Sequence, residues 1–235
     1  VLVFANHLNN PFQFDSVLYI TNNPNLENPQ FLLTTEFLGK EFFARGLLRM
    51  SIAVNTHLDG FKPFGYHIIS LVFHIFNSLL LFFVLDKSFR RFRLNELGWE
   101  NKRMRSVAFF AAGLFLCLPI QTESVIYIMS RSEVLASTFY LIGFLLFQQL
   151  LERPSTSKLQ YCFYFLIIFL FFLLGFSVKQ ILATLPAVMV LYYLFSCPNH
   201  SPAWQFFQKW KWVILSIFSV IVGLLIYRLF TDETF

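Results

Sequence analysis

Six apolar runs, spread over most of the chain, constrain its fold more than any other feature. They lie at about 68–85, 106–120, 134–151, 161–176, 181–196 and 212–230. A helix needs ~20 apolar residues to cross the hydrocarbon core of a bilayer. Several runs are shorter, and flanking Tyr, Trp and Phe extend them into the interface. The runs 161–176 and 181–196 read either as two short spans or as a hairpin that does not fully cross. Pro186 is expected to kink the second. A soluble helical domain fails on its surface. Such domains carry about 25% charged residues, whereas this chain has 13%, with 57% hydrophobic residues and a mean hydropathy of +0.61. There is too little polar surface to cover so large an apolar mass. The expected fold class is an all-α membrane protein.

Charge then orients the spans. The net charge is +5, and seven of the eighteen Lys and Arg residues fall in segment 86–105, "DKSFRRFRLNELGWENKRMR". Clustering between two apolar runs is a topology signal, and it argues against a nucleic-acid-binding face. It places 86–105 on the cytoplasmic side. Alternation then puts 5–65, 119–133 and 176–180 on the outer, luminal or periplasmic, side. Cys117, Cys162 and Cys197 are isolated and show no metal-ligand spacing, so they read as small buried hydrophobes.

Segment 5–65 is too long for a simple connector. Its stretch "FLLTTEFLGKEFFARGLLRMSIAV" has apolar residues on a helical rhythm, which predicts one or two amphipathic helices on the membrane surface. Thr34 or Thr35 is a candidate cap, and the Asn-Pro pairs at 23–24 and 28–29 mark turns.

Ionisable groups in or beside a bilayer are costly and tend to face a cavity or a partner. Asp15, Glu123, Arg131 and Lys179 fall on the outer side, with Glu133, His67 and His74 close to it. An acid and two bases around one cavity suit an anionic, phosphate-linked substrate. Each residue also has a plainer reading. Asp15 suits a turn or a cap, and Glu123 suits the first turn of a helix after Pro119. Arg131 and Glu133 suit neighbouring ion pairs or snorkelling, and Lys179 an ordinary loop. His67 and His74 are seven residues apart on one helical face, with Asn77 a turn further. They lack a third strong metal ligand and suit interhelical hydrogen bonds instead. Phosphate-cradling glycine loops, nucleophile elbows and zinc motifs are absent from the sequence.

Five segments, in order, resemble those of GT-C class membrane glycosyltransferases. The nearest pattern is that of the transmembrane O-mannosyltransferases with tetratricopeptide repeats and their bacterial homologues. "FQFDSVLYITNNP" resembles the family's first outer-loop motif, an aromatic-Asp-Asp followed by Asn-Pro. "ARGLLRMSIAVN" (44–55), "GYHIISLVFHIFNSLLL" (65–81), "LPIQTESVIYIMSRSEVLAS" (118–137) and "VKQILATLPAVMVL" (178–191) are similar to its later segments. The resemblance implies transfer of a sugar, mannose in the nearest relatives, from a polyprenyl-phosphate donor. The acceptor is a hydroxyl, on a protein or another molecule, at the outer face of a bacterial cytoplasmic or endoplasmic reticulum membrane. It implies catalytic roles for Asp15 and Glu123, and donor-phosphate roles for Arg131 and Lys179. Arg45, His67 and Glu133 take supporting places. No metal ligand is assigned and no cofactor is implied, with a divalent metal left open and the polyprenyl-phosphate sugar as donor substrate. The expected partners are membrane lipid, the lipid-linked donor, a protein acceptor and further members of a membrane complex.

The family pattern is broken at four places: Ser16 for the second Asp, Gly46 for the Pro after Arg45, Leu118 for a His, and Gln180 for the acid after the lysine. A divergent enzyme and a catalytically degenerate subunit or scaffold both fit these changes. A transporter would call for mid-membrane charges and repeated halves. The expected layout is the end of a truncated helix at 1–5, an outer loop with juxtamembrane helices at 6–65, and a bundle of about six helices at 66–235, cut at its C-terminus.

Overall fold

The computed structural model describes residues 4, 8–22, 45–92, 98–152 and 158–196. The expected caps at Thr34 and Thr35, the two Asn-Pro turns and the run 212–230 lie outside the described residues. Two compact units are distinguished, Val1–Met189 and Val190–Phe235, and every candidate site residue lies in the first. Every regular element among the described residues is helical.

The helices are α1 (Gly46–Asp59), α2 (Pro63–Arg91), α3 (Asn101–Cys117), α4 (Thr122–Ile126), α5 (Arg131–Leu151), α6 (Lys158–Phe176) and α7 (Leu185–Ser196). Three helical stretches, Pro63–Arg91, Ile128–Leu151 and Leu159–Phe176, are long and apolar enough to cross a membrane. A fourth crossing results if α3 and the bent stretch Pro119–Ile126 count as one span. Gln180–Ser196 is a shorter apolar helix.

α2 starts on Pro63, whose fixed φ and missing N–H suit a first helical position. It ends on Arg90 and Arg91, favoured by the negative end of the helix dipole. α2 packs chiefly on α3 and α5, and α5 on α6. α6 turns Phe163, Phe165 and Leu166 outward, each more than half exposed. Such a face is stable where hydrocarbon rather than water is the solvent.

Polar side chains stitch the bundle from inside. His74 Nε2 bonds the Leu116 carbonyl at 3.2 Å, and Ser78 Oγ donates to the Ala112 carbonyl at 2.8 Å. Asn77 Nδ2 donates to the Val134 carbonyl at 2.8 Å and accepts from Thr138 Oγ1 at 2.8 Å. His74 and Asn77 therefore make the interhelical bonds that their spacing suggested.

Two expectations need correction. Pro186 kinks no helix interior. It sits in the first turn of α7, after a 3-10 turn at Gln180–Thr184, where a proline costs little. Cys117 and Cys162 are exposed rather than buried. They stand on outward helix faces, where a small apolar thiol suits lipid as well as it suits a core.

Candidate functional site

Two loops meet at one cavity. The first, 8–22, is held on the start of α2. Phe12 packs edge-on against Tyr66, with centroids 5.3 Å apart and planes at 81°. His67 Nε2 bonds the Asn10 carbonyl at 3.1 Å. Phe14 then adopts a φ of 50°, rare for an aromatic residue. The chain turns there into a short helical segment that begins at Asp15 and continues as a π-helical turn, Val17–Thr21. Ile20 anchors this turn in the core, fully buried.

The second loop follows α3. Leu118, preceding Pro119, is extended (φ −62°, ψ 128°), as the proline ring demands. The helix axis bends by 51° here. The bend leads into α4, and Glu123 lies in its first turn. Tyr127 closes α4 and meets Phe14 edge-on, with centroids 6.3 Å apart.

Between the loops lies a cavity of about 670 Å³, lined by Asn10, Gln13, Phe14 and Ser16 from one side and by Glu123 and Tyr127 from the other. Asp15 is exposed and sits between the lining residues Phe14 and Ser16. Its charge reaches Tyr127. Burial first, and then the Asp15 carboxylate, push the Tyr127 phenol above the ordinary tyrosine value. Glu123 thus lines the cavity, and Asp15, 108 positions away in the numbering, stands beside it next to Tyr127. A carboxylate that can take a proton, a second acid and a mixed polar and apolar wall can hold a hydroxyl-bearing acceptor.

A second group of charges forms around Lys179. Its Nζ donates to Glu133 Oε1 at the start of α5. Burial, and then the charge of Arg45, pull the Lys179 pKa below the ordinary lysine value. Arg45 itself is exposed at the head of α1, with a left-handed φ of 66°. Among the described residues, Phe14 and Arg45 are the two non-glycine residues at positive φ. Each flanks one of the two charge groups, and backbone strain of this kind concentrates at functional positions. Ile20, Leu48 and Val178 belong to one buried apolar cluster, so the π-turn, α1 and the loop of Lys179 share a core.

Arg131 is placed differently from the donor-facing position implied by the resemblance. It is 0% exposed. Its guanidinium donates to Ser51 O and Asn55 Oδ1 of α1 and to Tyr66 O and Ser70 Oγ of α2, at 2.9 to 3.4 Å. It also lies 5.4 Å from the Tyr66 ring centroid. Four of its five N–H donors are spent on joining three helices. His67 is likewise buried, and its described bond goes to the first loop. Among the described residues, no three His, Cys, Asp or Glu side chains converge as a metal site would require.

Tyr66, Asn55 and Tyr127 take part in this arrangement without having stood out in the sequence. Asn55 and Tyr66 fall within quoted motif segments, but a neutral residue in an apolar run gives no local sign of bonding a distant arginine. Tyr127 lies in "SVIYIMS", where an aromatic residue at the interface is unremarkable.

No family model matches the sequence, and no solved structure matches it. Curated proteins do. The chain is 29% identical over 218 residues to the protein O-mannosyl-transferase TMTC1 of Mus musculus, covering 85% of this chain and 21% of that protein. It is 30% identical over 217 residues to TMTC1 of Homo sapiens, covering 84% and 23%. It is 25% identical over 169 residues to TMTC4 of Mus musculus, covering 67% and 23%. The chain therefore spans about a fifth of the length of the curated relatives it matches. The resemblance carried by the five motifs extends across most of the chain.

Proposed function

Because the chain resembles the protein O-mannosyl-transferases over most of its length, we propose that it is the membrane module of a glycosyltransferase. It moves a sugar, mannose by analogy, from a polyprenyl-phosphate donor to a protein hydroxyl. The reaction takes place at the outer or luminal face of a bacterial cytoplasmic or endoplasmic reticulum membrane.

The observation that carries this reading is that Asp15 interacts with Tyr127, which lines one cavity together with Glu123. In it, Asp15 accepts the acceptor's proton as the hydroxyl oxygen attacks C1 of the sugar. The bond from C1 to the phosphate oxygen breaks, and its electron pair leaves with the lipid phosphate. One displacement inverts C1. Glu123 orients the acceptor across the cleft. Lys179 and Arg45 stabilise the charge gathering on the leaving phosphate. Arg131 serves from behind by holding α1, and with it Arg45, against α2 and α5. The acceptor cleft needs no rearrangement of the buried core to admit a chain segment, because it is already open.

Replacing Asp15 by Asn tests the assignment. Sugar transfer by the intact protein falls at least about a hundredfold, in the range expected for loss of a general base, while membrane insertion is unchanged. Full transfer by Asp15→Asn ends the assignment. A second reading, a catalytically silent subunit of the same fold, draws support from Ser16. It stands where the family has its second acid, and it is buried. That reading predicts no transfer by the unaltered protein under conditions where a relative is active.

A further inference from the structure

The proposed chemistry leaves one acid unused, and it stands in the place where an anion is to bind. Val178 is fully buried in the cluster that also holds Leu48 of α1. This fixes the backbone of the next residue, Lys179, beside the start of α5. There the Lys179 ammonium bonds the Glu133 carboxylate. Neither side chain is sealed in, with 35% and 42% of their surfaces exposed. Arg45 is exposed on the neighbouring helix head, and its charge is felt at Lys179. Together the three residues carry one net positive charge. Arg131 adds nothing to this group, since four of its five N–H donors are bound within the protein.

We propose that Lys179 and Arg45 form a phosphate-binding site and that Glu133 is its resident counter-ion, displaced when the phosphate of an isoprenyl lipid enters. This rests on the lipid-phosphate reading of the function and names how that substrate is admitted. A lone ion pair that is partly open to solvent is weak enough to be exchanged. A phosphate offers several oxygens to two cations at once, through charge-assisted bonds stronger than the single pair it replaces. Until then Glu133 keeps the Lys179 side chain extended toward the site. After transfer, the lipid phosphate carries more negative charge than the sugar-linked diester did. Glu133 returning to Lys179 then opposes product retention.

Binding of a short-chain isoprenyl phosphate to the intact protein, in nanodiscs of zwitterionic lipid, tests this directly. Lys179→Met weakens binding at least about tenfold, as expected for loss of a charge-assisted bond. Glu133→Gln tightens it by about two- to five-fold, the range a solvent-accessible ion pair is worth. Combining the two changes removes that gain, because Glu133 acts through Lys179. Unchanged or weaker binding by Glu133→Gln overturns the displacement and leaves the donor reading standing. Failure of the unaltered protein to bind isoprenyl phosphate overturns both. Inorganic phosphate is the second arm. Weaker binding than the isoprenyl compound assigns the site to a lipid headgroup, and equal binding overturns that assignment.

Discussion

Ser16 shows how much one step along a helical turn decides. Asp15 is exposed at the cleft, while Ser16 is 1% exposed and its Oγ has no hydrogen-bond partner. Successive residues of a helix point about 100° apart, and here Ser16 belongs to the buried wall of the cavity while Asp15 stands exposed beside it. A carboxylate at position 16 would meet the desolvation cost of a buried charge. The loss of the family's second acid is therefore compatible with a working Asp15. Ser16→Ala should leave thermal stability unchanged or raise it by up to ~1 kcal/mol, since it deletes an unsatisfied buried hydroxyl. Ser16→Asp should lower it by about 1–3 kcal/mol. Thermal unfolding in detergent checks both, and a clear drop for Ser16→Ala would show that the hydroxyl has a partner. The acids themselves were legible in the sequence, because a carboxylate in so apolar a chain is costly and rare. The same rule marked Arg131, but it cannot tell a charge that faces a ligand from one that faces backbone carbonyls.

At the scale of elements, α1 is the piece whose attachment matters most. The sequence predicts an amphipathic surface helix here, and α1 does expose Val54 and Leu58 while burying Leu48, Ile52 and Ala53. Periodicity alone did not reveal that its polar residues face inward too. Asn55 is 0% exposed and accepts from Arg131, and Thr56 Oγ1 lies 2.6 Å from the Tyr66 hydroxyl. α1 is thus docked by a buried polar seam as well as by an apolar stripe. Arg131→Met leaves several of these acceptors unpaired, at about 1–3 kcal/mol for each buried group. It should lower the unfolding temperature and expose α1 to limited proteolysis. Arg131→Lys should rescue little, because a single ammonium cannot reproduce a planar fork bonded to two helices. Full rescue by lysine would mean that charge alone, rather than the fork, holds α1. Such a change is expected to reduce sugar transfer as well, through displacement of Arg45.

At the scale of the whole molecule, the proposed function depends on sidedness. The basic stretch from Lys87 to Arg105 must face the cytoplasm if Asp15, Glu123 and Lys179 are to face outward. Single cysteines in place of Lys102 and Thr122, in a background lacking the native cysteines, should label from opposite sides of sealed vesicles with a membrane-impermeant thiol reagent. Labelling of both from one side would remove the outer-face site. The bundle reaches this arrangement with a helix bend at Pro119 and a short turn after α6, each of which returns an ionisable residue to the same end of the spans.

The sequence by itself determined the class of fold and the places of three long apolar helices, Pro63–Arg91, Ile128–Leu151 and Leu159–Phe176. Apolar run length, proline position and basic clustering are local quantities, and the bilayer reads them locally. It also marked Asp15, Glu123 and Lys179 as costly enough to need a reason. Only the tertiary structure decided how these charges are shared out. The four bonds of Arg131 join residues 61 to 80 positions apart. The cavity joins the loop 8–22 to the bend that follows α3. No local pattern encodes such pairings. They follow from which helix faces bury one another, and that packing bound Arg131 inside the bundle and left Lys179, paired with Glu133, and Arg45 partly or fully open to solvent.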